Sequence, residues 1–429
     1  MAEESHPLAP LAQVAYNPFE PGFAENPYPQ LAALRRDDPV HESPLGIWVL
    51  TRYDDVQRFL RDPTLSVDEH NAGPRPMEEL VREIVGDRAE RGSYAMLNRD
   101  PPDHTRLRKL VSKAFTPRTV EQLRPHLQDL VDEALDKAAA QGELELIGDL
   151  AFPLPFVVIS ELLGVPDTDR DQLREWSGLM VQTLEPLFDL ELIRQIADAS
   201  EQMRVFLLDV ITWKRREPSD DLLSRMIAAR EPAAPPPGGR AGMSNEDGDM
   251  LSDEELLEQV MLLYIAGHET TVNLIGNGTL ALLRHPEQLA RLRDDPSLDA
   301  NAIEELLRYD SPVQMSRRIT LQDVQVRGKT IPKGTFVPVS LASANRDEDH
   351  WGPQADDLDL GRGNAHEHLS FGGGAHYCLG AALARLEGQV AIGSLVRRFP
   401  ALAIAGDPVW NGRLNLRGLD RLPLALSRQ

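Results

Sequence analysis

No proline interrupts the chain between Ser252 and His285-Pro286. Ser252 followed by Glu255 is a capping box, and Asp253 and Glu254 place acid in the first turn, where the helix dipole favours it. The stretch predicts one helix of roughly 45 Å at the usual rise per residue, enough to cross a whole domain. Its middle, residues 259–267, is apolar on nearly every side, the pattern of a buried helix. Other helices must pack around such a rod. Two Leu/Arg/Glu-rich segments, residues 120–140 and 190–214, carry the required periodicity.

Strand signals are few. Residues 38–51 (DPVHESPLGIWVLT) read as two short strands around a Pro-Leu-Gly turn, and residues 324–339 as three short strands punctuated by Gly328 and Pro332-Lys333-Gly334. The fold class is therefore mainly α with a small β region. Residues 231–249, with Pro232, Pro235, Pro236 and Pro237 beside Gly238-Gly239, read as a flexible surface loop inside one domain spanning 1–429. The motifs on its two sides need each other.

Composition excludes several function classes. A formal charge of −23 over 429 residues repels nucleic acid and anionic membranes. Residues 1–17 lack a basic region followed by an apolar stretch, which argues against a signal peptide. No run reaches the ~18 apolar residues of a membrane-spanning helix. The single cysteine, Cys378, cannot form an intramolecular disulfide or a multi-cysteine zinc site. Together these point to the cytoplasm.

That cysteine sits in Phe371-Gly-Gly-Gly-Ala-His376-Tyr-Cys378-Leu-Gly380, just before a helical pattern at 381–397. The glycines allow tight turns and close approach to a flat ligand. A cysteine at a helix N-terminus is biased towards thiolate. A lone cysteine is usually a small buried hydrophobe. A phosphate cradle would need Gly-x-Gly-x-x-Gly after a strand or a lysine-bearing loop, and neither is present. The full spacing Phe-Gly-x-Gly-x-His-x-Cys-x-Gly is specific. It resembles the haem-binding loop of the cytochrome P450 superfamily in its soluble bacterial form, and the resemblance runs from about Asn17 to Leu426. It implies haem b between the long helix and this loop, with Cys378 as the iron ligand. Phe371 then packs beside the sulfur, His376 meets a propionate, and Gly372 and Gly380 shape the loop.

Three further motifs agree. Ala266-Gly267-His268-Glu269-Thr270-Thr271 lies mid-way along the long helix. An acid inside an apolar helix is costly unless used or paired, the small Ala266 and Gly267 open room, and Thr270 can bond backward and distort the ladder. The resemblance makes this the oxygen groove, with Glu269 and Thr270 delivering protons. His268 is expected to point away. Glu305 and Arg308, three apart, share a helix face. The resemblance makes them a structural pair joined by a second arginine, which fits Arg362 better than Arg346. A helix begins near Asp103, with His104 and Arg108 on one face. The resemblance assigns these two, with Arg318, to the haem propionates. Arg106, Lys109 and Lys113 fall on the other face, as a solvated basic patch or a dock for an acidic ferredoxin.

The activity the resemblance implies is monooxygenation. Dioxygen is reduced by two electrons and two protons, with one oxygen entering a small hydrophobic substrate. No flavin or iron–sulfur segment is evident, so electrons are expected from a ferredoxin and its NAD(P)H-dependent reductase. The pocket is expected along 66–97 and 170–198 and at Leu97, Leu262, Ala266, Val313, Gln314 and Met315. Two alternatives are a peroxide-driven peroxygenase, disfavoured by the Glu269-Thr270 pair, and a non-catalytic haem-thiolate sensor.

Overall fold

The computed structural model describes residues 16–43, 46–73, 84, 86, 94–112, 115–166, 170–185, 189–228 and 251–426. The predicted loop 231–249, Lys113, the first fifteen residues, Pro44 and Leu45 of the predicted turn, and parts of the predicted pocket stretches lie outside these. The helices that matter for the site are, in chain order, α1 (Tyr53–Arg61), α2 (Asp103–Ser112), α3 (Arg124–Gln141) and α4 (Pro153–Leu162). They are followed by α5 (Leu190–Arg216), α6 (Asp253–Arg284), α7 (Asp299–Tyr309) and α8 (Ala381–Arg398).

Helix α6 begins and ends where its local chemistry dictates. The Ser252 hydroxyl accepts from the Glu255 amide at 3.2 Å, and the Glu255 carboxylate accepts from the Ser252 amide at 2.8 Å. Pro286 opens the next helix, and the residue before it, His285, takes φ −127° and ψ 74°. Proline disfavours helical geometry in the residue preceding it.

One helix serves two cores. Leu256, Leu257, Val260 and Tyr264 pack with Ile159 of α4 and Leu207 and Ile211 of α5. Further along, Leu274, Ile275 and Leu282 pack with Leu127 and Val131 of α3, Ile303 of α7 and Ile392 of α8. Each such side chain, fully buried, contributes about 1.5–3 kcal/mol. Between the two cores, Ala266 is the residue of α6 that opens to solvent, flanked by the half-buried Leu262 and Thr270. These three are spaced i, i+4, i+8 and form one stripe.

The helical periodicity predicted over 120–140 is realised in two helices. A short helix, Pro117–Glu121, stops before α3 starts at Arg124. Pro125 lacks an N–H donor and fits only the first turn of a helix, so it restarts one.

The predicted strands form. β1 (Val40–Glu42), β2 (Trp48–Leu50), β3 (Leu65–Ser66), β4 (Met315–Thr320) and β5 (Phe336–Ser340) make one sheet in the order β1-β2-β5-β4-β3. Only β2–β5 is parallel, through Leu50↔Val339. The remaining predicted strands, Val324–Val326 and Lys329–Ile331, form a hairpin in which Arg327 and Gly328 both take positive φ, 46° and 80°. This is the turn whose twist matches two paired strands. Val56 and Phe59 of α1 pack on the sheet against Val337 and Val339. Pairing of Arg318 with Val337 puts Arg318 mid-strand beneath the end of α1.

Candidate active site

The cysteine loop is pressed against the end of α1. Gly372 and Gly374 have φ of 70° and 67°. A Cβ on Gly374 would stand 2.6 Å from the Leu60 carbonyl oxygen, so the approach requires glycine. The Cys378 amide donates to the Phe371 carbonyl at 2.9 Å and closes the loop. Gly380 then caps α8. The ring of Phe371 lies beneath the Arg385 guanidinium, 4.5 Å from its centroid.

Cys378 keeps part of its surface open to solvent, while protein atoms crowd around the thiol. Burial pushes its thiol above the ordinary value; the amides of Gly380 and Ala381 and the cations Arg108 and Arg385 pull it down by less. The helix N-terminus therefore acts as expected and is outweighed by desolvation. A thiolate here needs a positive partner at the sulfur, which a metal ion supplies.

Beside the cysteine lies a cluster of two histidines and two arginines. The rings of His104 and His376 are 4.0 Å apart. His104 is 2% exposed, and its Nε2 has no partner among the described residues. Arg108 donates to the Tyr377 carbonyl at 2.5 Å. Arg318, also buried, donates only to carbonyls, of Arg317 at 2.6 Å and Leu60 at 2.7 Å. Burial and then Arg317 push Arg318 down to about 10. Burial and then His104, Arg318, Arg108 and Arg317 push His376 down to about 3. Among the described residues, none of His104, His376, Arg108 or Arg318 bonds a carboxylate. The buried Arg318 guanidinium and the half-buried Arg108 lack a counter-charge, which is costly, and two ligand carboxylates at this place would satisfy them. The residues present thus fit a flat dicarboxylate macrocycle whose metal meets Cys378.

On α6, the Thr270 hydroxyl donates back to the Ala266 carbonyl at 3.2 Å. Gly267 lies beside α4. A Cβ there would make only ordinary contact with Ile159 of α4, at 3.4 Å. His268 is fully buried, donates to the Tyr264 carbonyl at 2.6 Å and is pushed down to about 4 by burial. It faces Phe152 and Phe156, away from the cleft. Glu269 is ion-paired with Arg413. Burial raises its carboxyl above the usual range, Arg413 lowers it by less, and Asp420 adds a smaller rise.

Glu305 and Arg308 are both fully buried. Arg308 Nε and Nη2 donate to the Glu305 carboxylate at 2.7 and 2.8 Å. Arg308 also donates to the carbonyls of Asn345, Ala355 and Asp357. Arg362 Nε is 3.1 Å from both Glu305 oxygens. Arg346 is elsewhere, on the Tyr309 carbonyl and over the rings of Tyr28 and Tyr309.

The predicted pocket residues divide. Leu97 is 39% exposed, and Val313 and Met315 are half-buried. Gln314 is 4% exposed and its amide donates to the Ser311 carbonyl, so it is committed to the protein interior. The predicted basic face is also altered: Arg106 is ion-paired with Glu255 and is not free for a partner.

Residues without any motif complete the site. Gln259, wholly buried, accepts from the Met96 amide and donates to the Tyr94 carbonyl, both at 2.9 Å, and so pins the segment bearing Leu97 to α6. Arg413 reaches Glu269 across 144 positions. No local spacing signals either contact.

The family model described as Cytochrome P450 matches residues 77–411. The chain is 44% identical to the Vitamin D(3) 25-hydroxylase of Pseudonocardia autotrophica, over 95% of this chain and 96% of that one. It is 42% identical to Cytochrome P450 107B1 of Saccharopolyspora erythraea, over 95% and 96%. Among solved structures it resembles P450BioI in complex with hexadec-9Z-enoic acid ligated acyl carrier protein, with TM-score 0.84 and 36% identity over 94% of this chain and 100% of that one.

Proposed function

Because the chain belongs to the cytochrome P450 family and is a haem-dependent monooxygenase, we propose that it hydroxylates a small hydrophobic molecule. In this reading the cofactor is haem b, and a ferredoxin with its NAD(P)H-dependent reductase supplies electrons. The observation that carries the site assignment is the cluster of His104, His376, Arg108 and Arg318 next to the single cysteine, whose two guanidiniums bond no carboxylate among the described residues. Cys378 would hold the iron, and the two arginines and two histidines would hold the propionates. When bound, the haem supplies the redox centre at which dioxygen is activated.

The protein's own groups do the remaining work. Leu262 and Ala266 present an apolar wall with no hydrogen-bonding side chain, which favours an apolar substrate. Gln259 orients the Leu97 segment against that wall. The Thr270 hydroxyl lends its proton to the Ala266 carbonyl and keeps its oxygen lone pairs available towards the groove. Glu269 sits above the usual carboxylate range. It therefore exchanges a proton nearer neutrality than an exposed glutamate would, which suits a proton carrier.

Thr270→Ala and Glu269→Gln are expected to leave the haem spectrum and substrate binding intact. Several-fold more of the NAD(P)H consumed should end as hydrogen peroxide. Peroxide and product are measured per NAD(P)H oxidised, and unchanged coupling in both variants removes the pair from the proton route.

The substrate class is tested by titrating hydrophobic compounds, with vitamin D3 and hexadec-9-enoic acid included because relatives act on or carry them. A shift of the haem spectrum and oxygen consumption that depends on the added compound are expected. Oxygen uptake indifferent to every compound would favour a sensor. Full-rate product formation with peroxide alone would favour a peroxygenase.

A further inference from the structure

The loop 411–418 is tied down from several sides. Asn277 of α6 donates to the Arg417 carbonyl at 3.0 Å. Gly418 lies so near Asn273 that a Cβ would stand 1.8 Å from its side-chain oxygen. The amides of Gln314 and Met315 donate to the carbonyl and side-chain oxygen of Asn415, at 2.8 and 3.1 Å. The remaining tie comes from the segment that follows the 3₁₀ turn Val181–Leu184. There the Glu185 carboxylate spans three successive amides. Leu414 donates to Oε2 at 2.8 Å, Asn415 to Oε2 at 2.9 Å and Oε1 at 3.2 Å, and Leu416 to Oε1 at 2.7 Å. The Asn415 side-chain amide adds a bond to the Leu184 carbonyl at 3.1 Å.

Consecutive amides converging on one anion form a concavity suited to negative charge, and bonds to an ionised acceptor are the stronger kind. The first clamped N–H, of Leu414, belongs to the same rigid peptide plane as the Arg413 carbonyl. Fixing that plane anchors one side of the Arg413 Cα, and the Arg413 amide, which donates to the Asn411 side-chain oxygen at 3.1 Å, anchors the other, so together they restrict the direction in which the side chain leaves the backbone. Arg413 leaves it towards Glu269.

We propose that Glu185 is a positioning residue for Glu269, ordering the amides of residues 414–416 so that Arg413 is held against the Glu269 carboxylate. Its consequence for catalysis rests on the reading that Glu269 carries protons. The charged groups facing Glu269 are Arg413 and Asp420, while its helix neighbour His268 is held neutral by burial. Loosening Arg413 removes the one group that lowers the acid and leaves burial and Asp420, which both raise it.

The haem-loaded enzyme provides the test. The infrared carboxyl band lost in Glu269→Gln identifies Glu269. In Glu185→Gln its titration midpoint is expected to move up by about one pH unit or more, the size of effect an opposite charge exerts at close range. Arg413→Gln should move it the same way, and the double variant no further than Arg413→Gln alone, because both act through one contact. Hydrogen–deuterium exchange of amides 414–416 should quicken at least about tenfold in Glu185→Gln, since charge-assisted bonds are lost. Glu185→Asp, which keeps the charge on a shorter arm, should fall between, and it decides the matter if the glutamine variant does not fold. Exchange equal to the parent's overturns the clamp. Faster exchange with an unmoved Glu269 midpoint overturns the link to the acid. The infrared midpoint does not depend on turnover, so unchanged coupling in Glu269→Gln would sink the proton-route reading separately.

Discussion

Replacing Cys378 with serine is expected to abolish the thiolate-type carbon monoxide spectrum of the reduced protein and to reduce monooxygenation to background. The change is close to isosteric. The bond that closes the loop runs from the Cys378 amide to the Phe371 carbonyl, and a serine amide makes it equally well. The turns depend on Gly372 and Gly374, which are untouched. The fold should therefore survive, and far-UV circular dichroism should be unchanged. What disappears is the sulfur, and no other cysteine exists in the chain to replace it. A serine hydroxyl stays protonated in this partly desolvated site and donates far less electron density to a metal. A thiolate-type spectrum surviving in the serine variant would refute the assignment of Cys378 as the ligand.

Glu305→Gln should be the most destabilising single replacement that leaves side-chain shape intact. Removing one partner of a buried ion pair costs about 3–5 kcal/mol, because the other charge stays buried without compensation. Here two cations depend on Glu305: Arg308, wholly inaccessible, and Arg362. The Asp359 amide also donates to the Glu305 carboxylate, at 3.0 Å. Against a typical total stability of about 5–15 kcal/mol, a loss of this size should lower Tm by several degrees and cut the yield of haem-loaded protein. Arg308→Leu should be at least as damaging, since it also abandons the carbonyls of Asn345, Ala355 and Asp357. Both are read from thermal melts followed by circular dichroism. A Tm for Glu305→Gln within a degree or so of the parent's would show that the pair contributes little.

Much of the architecture was legible from short-range chemistry. The ends of α6 follow from Ser252, Glu255 and Pro286, all within a few residues of the boundary they set. The glycine loop, the short strands and the choice of Arg362 over Arg346 as the second partner of Glu305 were likewise readable from neighbouring residues or from the family pattern. The periodicity over 120–140 marked a helical stretch, and the short break within it lies just before Pro125, which restarts the helix.

By itself, the sequence determined where the central helix starts and stops, the mainly helical class, and the loop that presents Cys378. Caps, periodicity and glycine turns act through bonds to residues three or four positions away, and a sequence displays those directly. Tertiary structure alone decided the charges around the acid and the framing of the pocket. Arg413 meets Glu269, Glu185 clamps the amides of residues 414–416, Arg106 is taken by Glu255, and Gln259 holds the Leu97 segment. These contacts join positions far apart in the chain, and the energy of each depends on burial and on a distance of a few ångströms. Neither quantity exists until the helices have packed.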